Sequence, residues 1–224
     1  MKKLTLLLFL ASSITFAQGT VSKKLGDFNT LKVYNGLTVE LQKSNESKIE
    51  ISGSKSDDVV VKNSDGILKI RLQFPEGFTS EDLRIVLFYN QDIDVLDANE
   101  GSTILSDETI SQLHLEVKTQ EGAKITIGVN TKHLTVKAVS GGIIVLSGVT
   151  ENQNIEATTG GIYESFNLKC KQTIVTAASG ARAEVNASEI LDAIVRFGGT
   201  IYYRGNPEVL KTKKIIGGVI KDRN

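Results

Sequence analysis

The chain has 224 residues, 26 basic and 26 acidic side chains, two prolines, one cysteine and no tryptophan. Zero formal net charge without a basic stripe lacks the electrostatic footprint of a nucleic-acid-binding domain, and a lone Cys170 cannot close an internal disulfide. Stability then has to come from regular backbone pairing, which so few prolines leave uninterrupted.

The N-terminus reads Met1-Lys2-Lys3, then the apolar run Leu4–Leu10, then small residues ending in Thr15-Phe16-Ala17. This is the layout of a secretory signal peptide, cleaved after residue 17. No cysteine stands at the end of the run, so a lipid-modified N-terminus is not expected, and no later stretch reaches the ~18 apolar residues of a membrane-spanning helix. The expectation is an exported protein of the periplasm, the outer cell surface or the medium. Residues 18–27 read as an N-terminal extension and residues 28–224 as a single domain.

Alternation of apolar and polar residues then predicts strands at Leu31–Tyr34, Leu37–Gln42, Lys48–Ser52, Val59–Lys62, Ile67–Leu72 and Arg84–Tyr89. No window carries a helical stripe. Asn35-Gly36 and Ser64-Asp65-Gly66 mark turns; Asn35-Gly36 fits either a two-residue hairpin or a tight corner.

From Glu100 onward one phrase recurs: a lead glycine, a small residue, a variable residue and an apolar residue. The lead glycines are Gly101, Gly122, Gly141, Gly160, Gly180, Gly198 and Gly217, spaced 21, 19, 19, 20, 18 and 19 residues apart. A fixed period of this kind marks a solenoid. The predicted fold is all-β, a right-handed parallel β-helix with rungs of about 19 residues and a more irregular N-terminal part. Aligned on the lead glycine, Leu96, Val117, Val136, Ile155, Val175 and Ala193 form one inward column five residues before it. Ala98, Thr119, Ala138, Ala157, Ala177 and Val195 form a second, three before it. Between them Asp97, Lys118, Lys137, Glu156 and Thr176 are expected to point outward. Segments 106–112, 148–153 and 205–208 are expected as outer loops.

His114 and His133 share one column, with Asn152 and Gln172 following. Two imidazoles one rung apart are a candidate metal pair; the alternative is a polar ladder. Asp92, Asp94, Asp97, Glu100 and Asp107 form an acidic cluster, a candidate Ca²⁺ site or a source of catalytic carboxylates. Nothing matches a nucleophile elbow, a Cys–His pair or a phosphate loop, so no catalytic residue and no bound cofactor is assigned. Tyr163 and Tyr203 are expected to face inward, and Tyr202 outward.

Gly198-Gly199-Thr200-Ile201-Tyr202-Tyr203-Arg204-Gly205-Asn206-Pro207 and the closing Ile216-Gly217-Gly218-Val219-Ile220 resemble the C-terminal hallmark of the head GIN domain family, as do Phe28–Val33 and Gly36–Leu41 near the start. The resemblance runs from about Phe28 to Ile220. It implies an exported, repetitive β-helical protein of the bacterial envelope with an adhesin-like role, and carries no catalytic residues with it. Three functions follow as expectations. The first is a non-enzymatic envelope module binding a cell-surface or polysaccharide ligand, with Lys118, Lys137, Glu156 and Tyr202 on its binding face. The second is a polysaccharide-active enzyme using the Asp92–Asp107 cluster. The third is a scaffold that associates end to end through the open edge of its last rung.

Overall fold

The computed structural model describes residues 20–73 and 83–224; the leader assigned to residues 1–17 lies outside them. Among the described residues there is no α-helix, only strands and one short 3-10 turn at Ser56–Asp58. The regular part begins with β8 (Val95–Ala98) and the long strands β9 (Thr103–Thr119), β10 (Lys124–Ala138), β11 (Ile143–Ala157), β12 (Ile162–Ala178) and β13 (Arg182–Arg196). It ends with β14 (Thr200–Arg204), β15 (Val209–Ile215) and β16 (Val219–Asp222). Each long strand pairs in parallel with the next, one rung on.

The register puts equivalent repeat positions on top of one another. Val117 pairs with Val136, Val136 with Ile155, and Ile155 with Val175. Both predicted inward columns are buried, and so is the one formed by Ile104, Ile125, Ile144, Tyr163, Ala183 and Ile201. Sequence spacing determines facing here because parallel pairing preserves it from rung to rung.

The glycine corner is a two-residue left-handed turn. Both the residue before the lead glycine and the glycine itself have positive φ, as at Thr159 (51°) and Gly160 (72°), the signature of a type I′ turn. The small residue closes it: Gly161 N–H donates to the Thr158 carbonyl at 2.9 Å. Corners also bond along the stack, with Gly101 N–H donating to the Glu121 carbonyl at 2.9 Å and Gly160 N–H to the Ser179 carbonyl at 3.1 Å. Asn35-Gly36 is the first of these corners and not a hairpin: Gly36 N–H donates to the Glu100 carbonyl at 2.8 Å.

Two of the expected loops are absent. Residues 106–112 lie within β9 and 148–153 within β11. The variable period is absorbed instead by register shifts, between Thr126 and Gly128 and between Val145 and Gly148. Bulges let the rung bend without giving up its ladder. Only the 205–208 segment leaves the strand pattern, between β14 and β15.

The N-terminal part is irregular because the chain doubles back. β2 (Thr30–Val33) and β3 (Thr38–Lys43) form a rung on which β8 and β9 stack from one side. β6 (Ile67–Leu72) and β7 (Arg84–Tyr89) stack on the other side. Three antiparallel strands then cover that end: β4 (Lys48–Ser52) on β7, β5 (Val59–Ser64) on β6, and β1 (Thr20–Lys24) on β4. The expected N-terminal extension therefore contributes a strand. An antiparallel cap ends the parallel stack with strands of the opposite sense, one way a sheet edge is blunted.

Candidate binding face

The second half of each rung presents a flat outer face built of side-chain ladders. His114, His133, Asn152 and Gln172 stack in register, as expected. The two imidazoles lie 4.9 Å apart, centroid to centroid, with planes 13° apart. A ring nitrogen directs its lone pair in the plane of the ring, so two near-parallel stacked rings do not aim at one shared ion. Among the described residues, no three His, Cys, Asp or Glu side chains gather to hold a metal. The pair is the start of the polar ladder.

Six residues before each lead glycine stands a second outward column: Glu116, Thr135, Asn154, Ile174, Asp192 and Lys211. It runs beside the first. Between them lies a groove of about 380 Å³, walled by His133, Asn152 and Gln172 on one side and Thr135, Asn154 and Ile174 on the other. Asp192 and Lys211 stand at its C-terminal end. Ile174 is 53% exposed and supplies an apolar strip among amide and hydroxyl groups. Inside the rungs, Tyr163 Oη donates to Gln153 Oε1 at 2.9 Å and Gln153 Nε2 donates to Thr173 Oγ1 at 2.9 Å. That network is fully buried and its burial pushes the Tyr163 hydroxyl up from its ordinary range. It fixes the wall behind the groove, since satisfied buried polar groups specify one packing.

The second column has no uniform residue type to mark it in the sequence, unlike the positions three, five and eight before the glycine. Lys137 and Glu156 line a neighbouring depression of about 430 Å³ that shares Thr135 and Asn154 with the groove. They pair with each other at 3.9 Å, and Lys118 pairs with Glu116 at 3.3 Å. These three expected face residues therefore lie on this face, tied into ladders of alternating charge.

Other expectations change. Asp97 does point into the outward column, but it is only 8% exposed. Lys32 from the rung above pairs with it at 3.1 Å, and Asn99 Nδ2 donates to it at 3.1 Å. The acids of the sequence cluster are partnered separately: Asn29 Nδ2 donates to Asp94 at 3.1 Å and Asn35 Nδ2 donates to Glu100. Asp92 is exposed. Asp107 lies past the corner, in a different groove with Ser147, Glu164 and Arg204. Tyr163 and Tyr203 face inward as expected, and Tyr202 is covered by the Arg223 guanidinium, 4.5 Å from its ring centroid. Arg204 covers Phe166 in the same way at 4.3 Å. Neither ring is an open stacking platform. Burial raises the Cys170 thiol, which donates to the Gln172 carbonyl at 3.1 Å, and so disfavours its thiolate.

The same fold occurs in solved structures. One from Bacteroides fragilis, described as "a putative adhesin", has a TM-score of 0.84 at 18% identity, covering 93% of this chain and 98% of that one. One from Parabacteroides distasonis, also a "putative adhesin", has a TM-score of 0.71 at 18% identity, covering 92% and 98%. A second from Parabacteroides distasonis, described as a "putative lipid binding protein", has a TM-score of 0.68 at 17% identity, covering 94% and 98%. No curated protein matches the chain. The family described as "Putative auto-transporter adhesin, head GIN domain" matches residues 27–207, from the first rung to just past β14, and this chain belongs to that family.

Proposed function

We propose that this protein is an exported, non-enzymatic solenoid of the bacterial envelope that binds a polysaccharide along its outer face. The observation that carries the reading is the groove between the two outward columns. Its walls repeat amide, imidazole and hydroxyl groups at the ~4.8 Å rung spacing. Each Asn or Gln offers both donors and an acceptor, which suits the hydroxyl groups of a sugar chain. Ile174 offers apolar contact to the less polar face of a sugar ring. Because the walls belong to paired strands, the groove is held open before a ligand arrives, which lowers the ordering cost of binding. The adhesin descriptions of the similar structures and the leader-like N-terminus support an exported, surface-directed role.

The test is binding of the chain to an array of bacterial and host polysaccharides, with Asn152→Ala and Gln172→Ala in parallel. Retained binding in both variants overturns the groove as the site. Release of reducing ends from any polysaccharide, lost in Asp97→Ala, overturns the non-enzymatic reading. Protease treatment of intact cells that leaves the protein untouched places it in the periplasm and removes adhesion.

A further inference from the structure

The geometry points to a second contact surface: the C-terminal end of the solenoid docks end-on against an anionic lipid surface. This end adjoins the outer-face groove at Lys211, but the inference does not rest on polysaccharide binding. Residues 196–224 hold seven basic side chains against two acidic ones, although the chain as a whole carries no net charge.

Several upstream cations are tied to acids, whereas at this end basic side chains outnumber acidic ones. In earlier rungs Lys32 pairs with Asp97, Lys137 with Glu156, and Arg182 with Glu164 and Glu184. Among the described residues, Lys211, Lys213, Lys214 and Lys221 make no ion pair. They lie on β15 and β16, which have no neighbour beyond them.

Apolar groups stand beside these cations. The residue before the lead glycine is Asn35, Glu100, Glu121, Ser140, Thr159 or Ser179 in the earlier corners, and becomes Phe197 and Ile216 in the last two. Phe197 is 56% and Ile216 72% exposed. Their φ angles are 48° and 56°, a region that costs a side chain roughly 1–2 kcal/mol and that a β-branched residue rarely occupies. Folding gains nothing from an exposed isoleucine in that conformation, so the strain is retained for another reason. Val219, also exposed, follows at the start of β16.

A tip of exposed apolar side chains ringed by unpaired lysines matches an anionic bilayer, where the cations meet headgroups and the apolar tip enters the acyl boundary. A soluble polyanion would use the lysines and leave Phe197 and Ile216 idle. A second copy stacked on the last rung is disfavoured by the inward column there. Thr212 and Lys214 continue the column of Ala193 and Val195, and stacking would bury that charge.

The experiment is co-sedimentation of the chain with phosphatidylcholine vesicles, with or without phosphatidylglycerol. Binding is expected only to the anionic vesicles, and is expected to weaken with salt. Neutralising Lys213 and Lys214 as Lys213→Gln and Lys214→Gln lowers partitioning about fivefold for each lysine. The double variant Phe197→Asn, Ile216→Asn removes the tip while suiting the left-handed turn, so it melts at or above the parent temperature and loses vesicle binding. Ile216→Trp, the sole tryptophan in the chain, gives a blue-shifted emission on anionic vesicles. No binding to anionic vesicles overturns the inference. So does equal binding of parent and asparagine variant to both dextran sulfate and vesicles, which identifies a polyanion site. Dimers in sedimentation that the asparagine variant dissolves overturn it in favour of self-docking.

Discussion

Adjacent glycines in one corner have opposite reasons for being glycine, and two alanine substitutions separate them. Gly160 has φ of 72° and nothing within 4 Å of where a Cβ would stand. Gly160→Ala therefore carries only the left-handed penalty, about 1–2 kcal/mol. Gly161 lacks a positive φ, but its Cβ would stand 2.0 Å from the Ala138 carbonyl oxygen and 2.5 Å from its carbon. That carbonyl accepts the Thr158 N–H at 3.0 Å, and Gly161 bonds both within its corner and to Arg182 N–H on the next rung at 3.0 Å. Moving the rungs apart far enough to admit a methyl combines an overpacking cost of about 1–3 kcal/mol with the weakening of hydrogen bonds worth about 1 kcal/mol each. Gly161→Ala is expected to cost about 3–5 kcal/mol in all. Urea titration gives the order directly as the shift in midpoint at unchanged slope. Amide hydrogen exchange locates the loss at the corner of Gly142, Gly161 and Arg182. Equal midpoints for the two variants, or a greater loss in Gly160→Ala, would refute the assignment of one glycine to backbone conformation and the other to rung clearance.

Three further outcomes follow from single side chains. Thr119 Oγ1 is a buried polar atom without a partner, in a column otherwise of alanine and valine; Thr119→Val is expected to raise the urea midpoint by the equivalent of about 1 kcal/mol. Burial raises the Tyr163 hydroxyl above its ordinary 10.0, so above that pH the unfolded chain loses this proton while the folded one keeps it, and stability falls. Tyr163→Phe should flatten that alkaline fall, and at neutral pH should cost about 1–2 kcal/mol because Gln153 Oε1 loses its donor; an unchanged alkaline slope by thermal melting counts against it. The Asp97 hydrogen bond raises Lys32 above 10.5, so the pair stabilises fully below that pH and fades as pH rises through the higher folded value. Asp97→Ala is expected to lower the neutral-pH midpoint by about 1–3 kcal/mol without altering strand content, read by circular dichroism.

The regular rungs were legible because in-register parallel stacking turns sequence distance into spatial position. The columns of Val117, Val136 and Ile155 followed from spacing alone, and so did the ladder of His114, His133, Asn152 and Gln172. Facing along a strand is also local, so Tyr163 could be placed inside and Lys137 outside. The bends were less legible. A bulge keeps strand residues on both sides of it, and the segments at 106–112 and 148–153 therefore read as loops although their ladders continue.

What the sequence by itself determined is the repeat, the corner and the facing of each column, because these depend only on neighbours in the chain and on one period. The tertiary structure decided which groups meet across long separations. Lys32 reaches Asp97 because the chain leaves its first rung, builds β4 to β7, and returns to stack β8 on β2, an excursion with no period to read. The same return divided the acidic cluster among separate partners. It is also only the assembled stack that shows a groove between two columns, and an end where lysines outnumber acids, because pairing and exposure belong to surfaces made of residues one or more rungs apart.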